Sequence, residues 1–81
     1  MQVEYTPYFR RKFAKFPTIV QRKFQKQLTL LLRDIRHPSL RAKKFDETED
    51  IWQARVDDQA RFYFKITEDR YSLLDIKKHK D

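Results

Sequence analysis

A chain of 81 residues holds material for one domain with a single modest core, and not for a second. Its 19 Lys and Arg against 12 Asp and Glu leave a net charge of +7, which puts nucleic acid first among partners, ahead of an acidic protein or an anionic membrane. The absence of Cys excludes a disulfide framework and a thiolate metal site, and the absence of Gly argues against P-loops, dinucleotide-binding turns and nucleophile elbows, which need close backbone approach or positive φ.

Met1 to Tyr5 alternates Met1, Val3 and Tyr5 with Gln2 and Glu4, the pattern of a short half-buried strand. An acidic residue here, where a signal peptide is basic, and the lack of a membrane-length apolar run give the expectation of a soluble, cytoplasmic protein without a membrane partner. Thr6 followed by Pro7 predicts an N-cap and a first helical residue. Phe9, Phe13 and Phe16 recur at helical spacing and carry this short helix to Pro17. Thr18 and Gln21 stand at capping-box spacing and predict a second helix start. Val20, Phe24, Leu28, Leu31 and Ile35 form its apolar stripe, broadened by Leu30 and Leu32, until His37 and Pro38 end it. From Tyr5 through Arg33 there is no acidic residue, while Arg10, Arg11, Lys12, Lys15, Arg22, Lys23, Lys26 and Arg33 are present. Those cations read as a solvated helix face or as a surface for a phosphate backbone, and the two readings are compatible.

Leu40 to Phe45, L-R-A-K-K-F, predicts a strand with Leu40 as its first apolar residue and Lys43 and Lys44 near its end, and D-E-T-E-D at 46 to 50 predicts a charged loop. The run I-W-Q-A-R-V-D-D-Q-A-R-F-Y-F-K-I predicts a hairpin in which Val56 pairs with Ala60 around Asp57, Asp58 and Gln59. Trp52, Ala54 and Val56 then share one face with Ala60, Phe62 and Phe64, and Arg55 lies opposite Arg61 on the other. Like charges opposed in a sheet repel, so this pair calls for a carboxylate or a bound anion. After a turn around Glu68 and Asp69, Tyr71 to Ile76 predicts a last strand, with Leu74 opposite Phe64 and Ile76 opposite Phe62. Asp75 and Lys77 then face outward beside Tyr63 and Arg61. The expected fold is α+β, a single domain over 1–81 in the order βααββββ, with an N-terminal strand and helical hairpin packed on a four-strand antiparallel sheet.

The outward face of that sheet gathers Arg55, Arg61, Tyr63, Lys65, Asp75 and Lys77, with His79 just past the last strand. Guanidinium groups bind phosphate in a planar, bidentate way and stabilise its developing negative charge. Histidine is the side chain whose ordinary pKa lies near neutrality, which makes His79 the natural proton donor or acceptor there. RNA brings its own nucleophile, the 2′-hydroxyl, so such a set suffices without a cofactor or metal, and His37 and His79 have no metal-site spacing. The competing readings are structural: Arg55 and Arg61 paired with Asp57, Asp58 or Asp75, His79 as surface, Trp52 as core, and Lys43 and Lys44 as a basic strand end.

The chain resembles the RelE/ParE superfamily of bacterial toxins from type II toxin–antitoxin pairs, especially the RelE-like and YoeB-like messenger RNA endonucleases. The carrying residues are H-P-S-L-R-A-K-K-F at 37 to 45, I-W-Q-A-R-V at 51 to 56, A-R-F-Y-F at 60 to 64 and L-L-D-I-K-K-H-K-D at 73 to 81. The resemblance implies a RelE-like fold and a toxin that enters the ribosomal A site, contacts ribosomal RNA, cleaves messenger RNA and is silenced by a cognate antitoxin. Operator DNA is a candidate ligand of the toxin–antitoxin pair. By position, the resemblance makes Arg61 the transition-state arginine, Arg55 the arginine before the turn, and His79 the C-terminal acid or base. Lys43 and Lys44 then grip RNA, with Tyr63, Lys77 and Lys78 beside them. Many catalytic relatives carry a tyrosine near the C-terminus, where Lys80 and Asp81 follow His79 here, and the general base is left open between Glu47, Glu49 and neither. The alternatives are a weak or inactive relative, a ParE-like inhibitor of DNA gyrase, and a plain RNA-binding module, for which the outward face lacks paired aromatics.

Overall fold

The computed structural model describes residues 1–79. A first strand, β1 (Gln2–Tyr5), leads into the helices α1 (Pro7–Ala14) and α2 (Thr18–Arg33). A 3-10 turn at Pro38–Leu40 precedes β2 (Lys43–Asp46), β3 (Ile51–Asp57), β4 (Ala60–Thr67) and β5 (Arg70–Lys78). The strands form one five-stranded sheet in the order β1-β5-β4-β3-β2. The fold is α+β, as the sequence predicts, with one addition: β1 joins the sheet, parallel to β5, and the rest of the chain is the long crossover that a parallel pair requires.

Thr6 fixes the start of α1 and its place on the sheet at once. Its hydroxyl oxygen accepts from the Phe9 N–H at 3.2 Å, capping the helix, and donates to the Leu73 carbonyl of β5 at 2.8 Å. The second helix departs from its predicted start. Pro17 occupies the N-cap without a side-chain bond, and Gln21 reaches backward to donate to the carbonyls of Phe13 at 3.2 Å and Phe16 at 3.1 Å. Gln21 therefore closes the open end of α1 and takes no part in a capping box. The helix also stops sooner than Pro38, at Arg33, because Asp34 turns extended at φ −163°. Ile35 then packs on the core from beyond the helix end.

Leu40 is not a strand residue: it ends the 3-10 turn fully buried, and Arg41 beside it takes a left-handed φ of 47°, so the strand starts at Lys43. The hairpin also closes one residue later than expected. Asp57 pairs with Ala60 around Asp58 and Gln59, and a bulge between Arg55 and Asp57 absorbs Val56. Phe64 faces Leu73, where the sequence predicts Leu74, because a second bulge lies beside Leu74 between the Tyr63 and Phe64 registers. Leu73 and Ile76 can thus both point inward, and both are fully buried.

The core lies between the helices and the inner face of the sheet, and phenylalanine dominates it. Phe9 contacts Phe24 at 5.4 Å between ring centroids, Phe24 meets Phe62 edge to face at 5.1 Å, and Phe62 stacks on Phe64 at 5.6 Å. Each such side chain contributes roughly 1.5–3 kcal/mol through burial. Gln27 sits within this apolar face at 6% exposure, donating to the carbonyls of Arg55 at 2.8 Å and Ser39 at 3.1 Å. It ties α2 to the turn before β2 and to β3 at the bulge.

Candidate nucleic-acid interface

Strand alternation turns Arg55, Arg61, Tyr63, Lys65, Asp75 and Lys77 to the face opposite the core, as the sequence predicts. The register sets Arg55 opposite Arg61 and Arg61 opposite Lys77, a row of cations across β3, β4 and β5. Their repulsion is relieved unequally. The Arg55 guanidinium pairs with the Asp58 carboxylate in the hairpin turn. The Arg61 Nη1 instead donates to two main-chain carbonyls, of Asp57 at 2.6 Å and Ala60 at 3.0 Å. The Asp57 carboxylate looks elsewhere, accepting from Lys23 of α2 at 3.5 Å and from the Gln59 N–H at 2.8 Å. Among the described residues no carboxylate pairs with Arg61, so carbonyls orient its guanidinium without cancelling its charge.

His79 lies at the same end of the sheet. Its main-chain N–H donates to the Gln59 carbonyl at 2.7 Å, one step beyond the Ala60 and Lys78 pair, so its backbone is anchored beside the turn that holds both arginines. Lys78 faces away from this row and lines an open cleft of 1030 Å³ between the end of α1, the start of α2 and the hairpin, together with Tyr8, Phe16 and Val20. Lys80 and Asp81, which stand where the resemblance looks for a tyrosine, lie outside the described residues.

The paired lysines of β2 separate. Lys43 is exposed opposite Gln53, on the Tyr63 side of the sheet. Lys44 pairs with Trp52 and turns to the other face, its ammonium 5.4 Å from the Trp52 ring centre and 2.5 Å from the Asp50 carboxylate. The bond to Asp50 raises its pKa above the usual lysine value. Trp52 stacks on Phe64 as a core-side residue, in accord with the sequence reading. Glu47 lies 3.8 Å from Lys44, and both it and Glu49 occupy the turn between β2 and β3. The hairpin arginines are at the opposite end of β3, about 13 Å along the strand at ~3.3 Å per residue. Neither glutamate is placed to serve there as a base.

A carboxylate beside the cationic row on the outward face is Asp75, which binds Lys12 of α1 at 2.7 Å, lies 3.9 Å from Lys77 and accepts from the Ile76 N–H at 2.8 Å. Part of the basic helix surface is thus engaged with the sheet. Tyr63, opposite Asp75, is 8% exposed, and burial, reinforced by the Asp75 charge, pushes its phenol up from the usual tyrosine value. Phe45 also lies on this face, its ring edge to face with Tyr63 at 4.9 Å. The face therefore does carry paired aromatics, against the expectation from sequence. Phe45 stands at the register shift between Lys44 and Asp46, where β2 departs from regular pairing with β3.

No protein-family model and no curated protein matches this sequence. Solved structures match over nearly the whole chain. The YoeB dimer from Staphylococcus aureus superposes with a TM-score of 0.82, covering 99% of this chain and 98% of that chain at 12% identity. A YoeB/ParE toxin from Agrobacterium tumefaciens gives 0.81 over 99% and 100% at 12% identity, and the toxin–antitoxin complex RelBE2 from Mycobacterium tuberculosis gives 0.77 over 96% and 96% at 18%. This chain has the RelE/ParE toxin fold. At these identities the RelE/ParE likeness extends to the backbone path, and the work of each side chain rests on its own geometry. Here the RelE/ParE sheet presents a cationic row at its hairpin end. Among the described residues, no helix is long and apolar enough to cross a membrane and no group of three metal-ligating side chains comes together.

Proposed function

We propose that this protein is the toxin of a type II toxin–antitoxin pair and acts as a ribosome-dependent endoribonuclease. The observation that carries the reading is Arg61, a guanidinium oriented by two carbonyls, unpaired with any carboxylate among the described residues, and set between Arg55 and Lys77 on an outward sheet face. The 2′-hydroxyl of the message attacks the adjacent phosphorus, the 2′-oxygen to phosphorus bond forms and the bond to the 5′-oxygen breaks, leaving a cyclic phosphate. Arg61 stabilises the charge that gathers on the phosphoryl oxygens. His79 gives its proton to the departing 5′-oxygen, and the 2′-hydroxyl proton passes to solvent. Lys43, Tyr63 and Lys77 hold the strand, and Arg55 shapes the hairpin as well as adding charge. Lys44, tied to Asp50, and Lys78, in the cleft, are less directly engaged.

A cognate antitoxin with an acidic segment fits the +7 charge, and several of the structures sharing the fold are toxin–antitoxin complexes, among them RelE with RelB, RelBE2 and YoeB with YefM. The proposed site of action is cytoplasmic, with operator DNA as a ligand of the toxin–antitoxin pair. The lack of a glutamate near the hairpin end among the described residues favours one rival, a ParE-like toxin that inhibits DNA gyrase without cleaving RNA. A translation extract separates the two. The parent cuts the message into fragments with cyclic phosphate ends, and Arg61→Ala and His79→Ala each lower that rate about 100-fold or more. An intact message with lost gyrase supercoiling overturns the nuclease reading in favour of the rival.

A further inference from the structure

The outward face holds one large apolar side chain that the cleavage chemistry does not use. Phe45 is 55% exposed, which leaves much of its ring open to solvent. The ring is nevertheless held in place. Tyr63 packs against it at 4.9 Å with an interplanar angle of 66°, and the Lys77 ammonium sits 5.9 Å from the Phe45 centroid and 5.0 Å from that of Tyr63. Tyr63 is buried and acts as the floor, while Phe45 projects. The surroundings are cationic: Lys43 lies on the same strand face, Lys77 touches both rings, and Arg61 is two residues along β4 from Tyr63. Asp75, opposite Tyr63, is a counter-charge on this face, and Lys12 already binds it.

An open aromatic face beside several ammonium and guanidinium groups matches the two parts of a single-stranded nucleotide, a π-face and a phosphate. A duplex hides its base faces, so this surface selects an unpaired strand. We propose that Phe45, buttressed by Tyr63 and Lys77, is a stacking subsite for an unpaired RNA base next to the phosphate held by Arg61. This subsite rests on the RNA reading above and extends it to where a neighbouring base is seated. It tolerates any base, because stacking uses a surface that all bases share.

The test measures binding of a short 2′-O-methyl oligonucleotide, which cannot be cleaved, and of an abasic analogue of equal length at matched salt. The parent binds the base-bearing strand more tightly. Phe45→Leu, which keeps an apolar side chain at an exposed position, lowers that affinity about tenfold and leaves abasic binding unchanged, and Phe45→Trp restores it. Equal losses on both strands, no loss on either, or no binding by the parent overturns the subsite. So does a loss confined to capture of an acidic protein partner. Message cleavage in the extract, and its dependence on Arg61, is read separately, so the subsite can fail while the nuclease reading stands, and the reverse.

Discussion

Arg55 and Arg61 share a pairing position and differ in environment, and that difference is what a single substitution can probe. Asp58 is exposed and pairs with Arg55, so Asp58→Ala lowers the unfolding free energy from a denaturant titration by no more than about 1 kcal/mol, as for other exposed ion pairs. The same change frees a guanidinium and removes a negative charge beside the cationic row, so an RNA titration gives tighter binding than the parent. Tyr63 and Tyr71 offer a different handle. Burial raises both phenols above the ordinary value of 10.0, with Asp75 adding to the first and Asp34 to the second. The unfolded chain loses these protons first, so their contribution to stability is complete below about pH 10 and falls as pH rises through the folded values. Phenolate absorbance during an alkaline titration shows a late component for each, and Tyr63→Phe and Tyr71→Phe each remove one.

At the scale of elements, two polar residues set the geometry that the apolar pattern cannot. Gln27 satisfies the Arg55 carbonyl where the bulge interrupts the ladder, so Gln27→Leu strands a buried acceptor and costs about 1–3 kcal/mol in denaturant unfolding. Thr6 caps α1 and bonds β5 beside the second bulge, so Thr6→Ala costs about 1 kcal/mol by thermal melting, and Thr6→Ser retains most of it. These positions also explain what could be read in advance. The opposition of Arg55 to Arg61, of Phe62 to Ile76 and of Tyr63 to Asp75 was legible because alternating apolar residues leave each strand only one sensible face. The bulges at Val56 and Leu74 were not, since the residue types there are compatible with regular pairing and the added residue shows only in three dimensions. Gln21 satisfied a capping-box spacing and yet serves the preceding helix, because the tight turn at Pro17 brings those carbonyls within its reach. Phe45 was harder to read because it stands five residues from Leu40, so the two apolar side chains cannot share a face of a regular strand, and it falls at the register shift between Lys44 and Asp46.

For the molecule as a whole, the charge row predicts how nucleic acid is held. Logarithmic affinity for single-stranded RNA falls linearly with the logarithm of salt concentration, and Arg61→Ala and Lys77→Ala each reduce the slope by about 1. A slope that neither change moves would take both residues off the binding surface. The parallel pairing of β1 with β5 adds a constraint of timing. Thr6 bonds Leu73 across 67 positions and Glu4 bonds Ser72 across 68, so the first strand made has no partner until the last is made. During synthesis β1, α1 and α2 emerge early, while β4 waits with one edge unpaired. Closing contacts so distant in sequence is entropically slow, and it comes last. Lys77 and His79, near the end of that final strand, take their places beside Arg61 only at that step. A chain interrupted between β4 and β5 therefore carries the arginines without the assembled surface, and the protein gains its cationic face in a single late event.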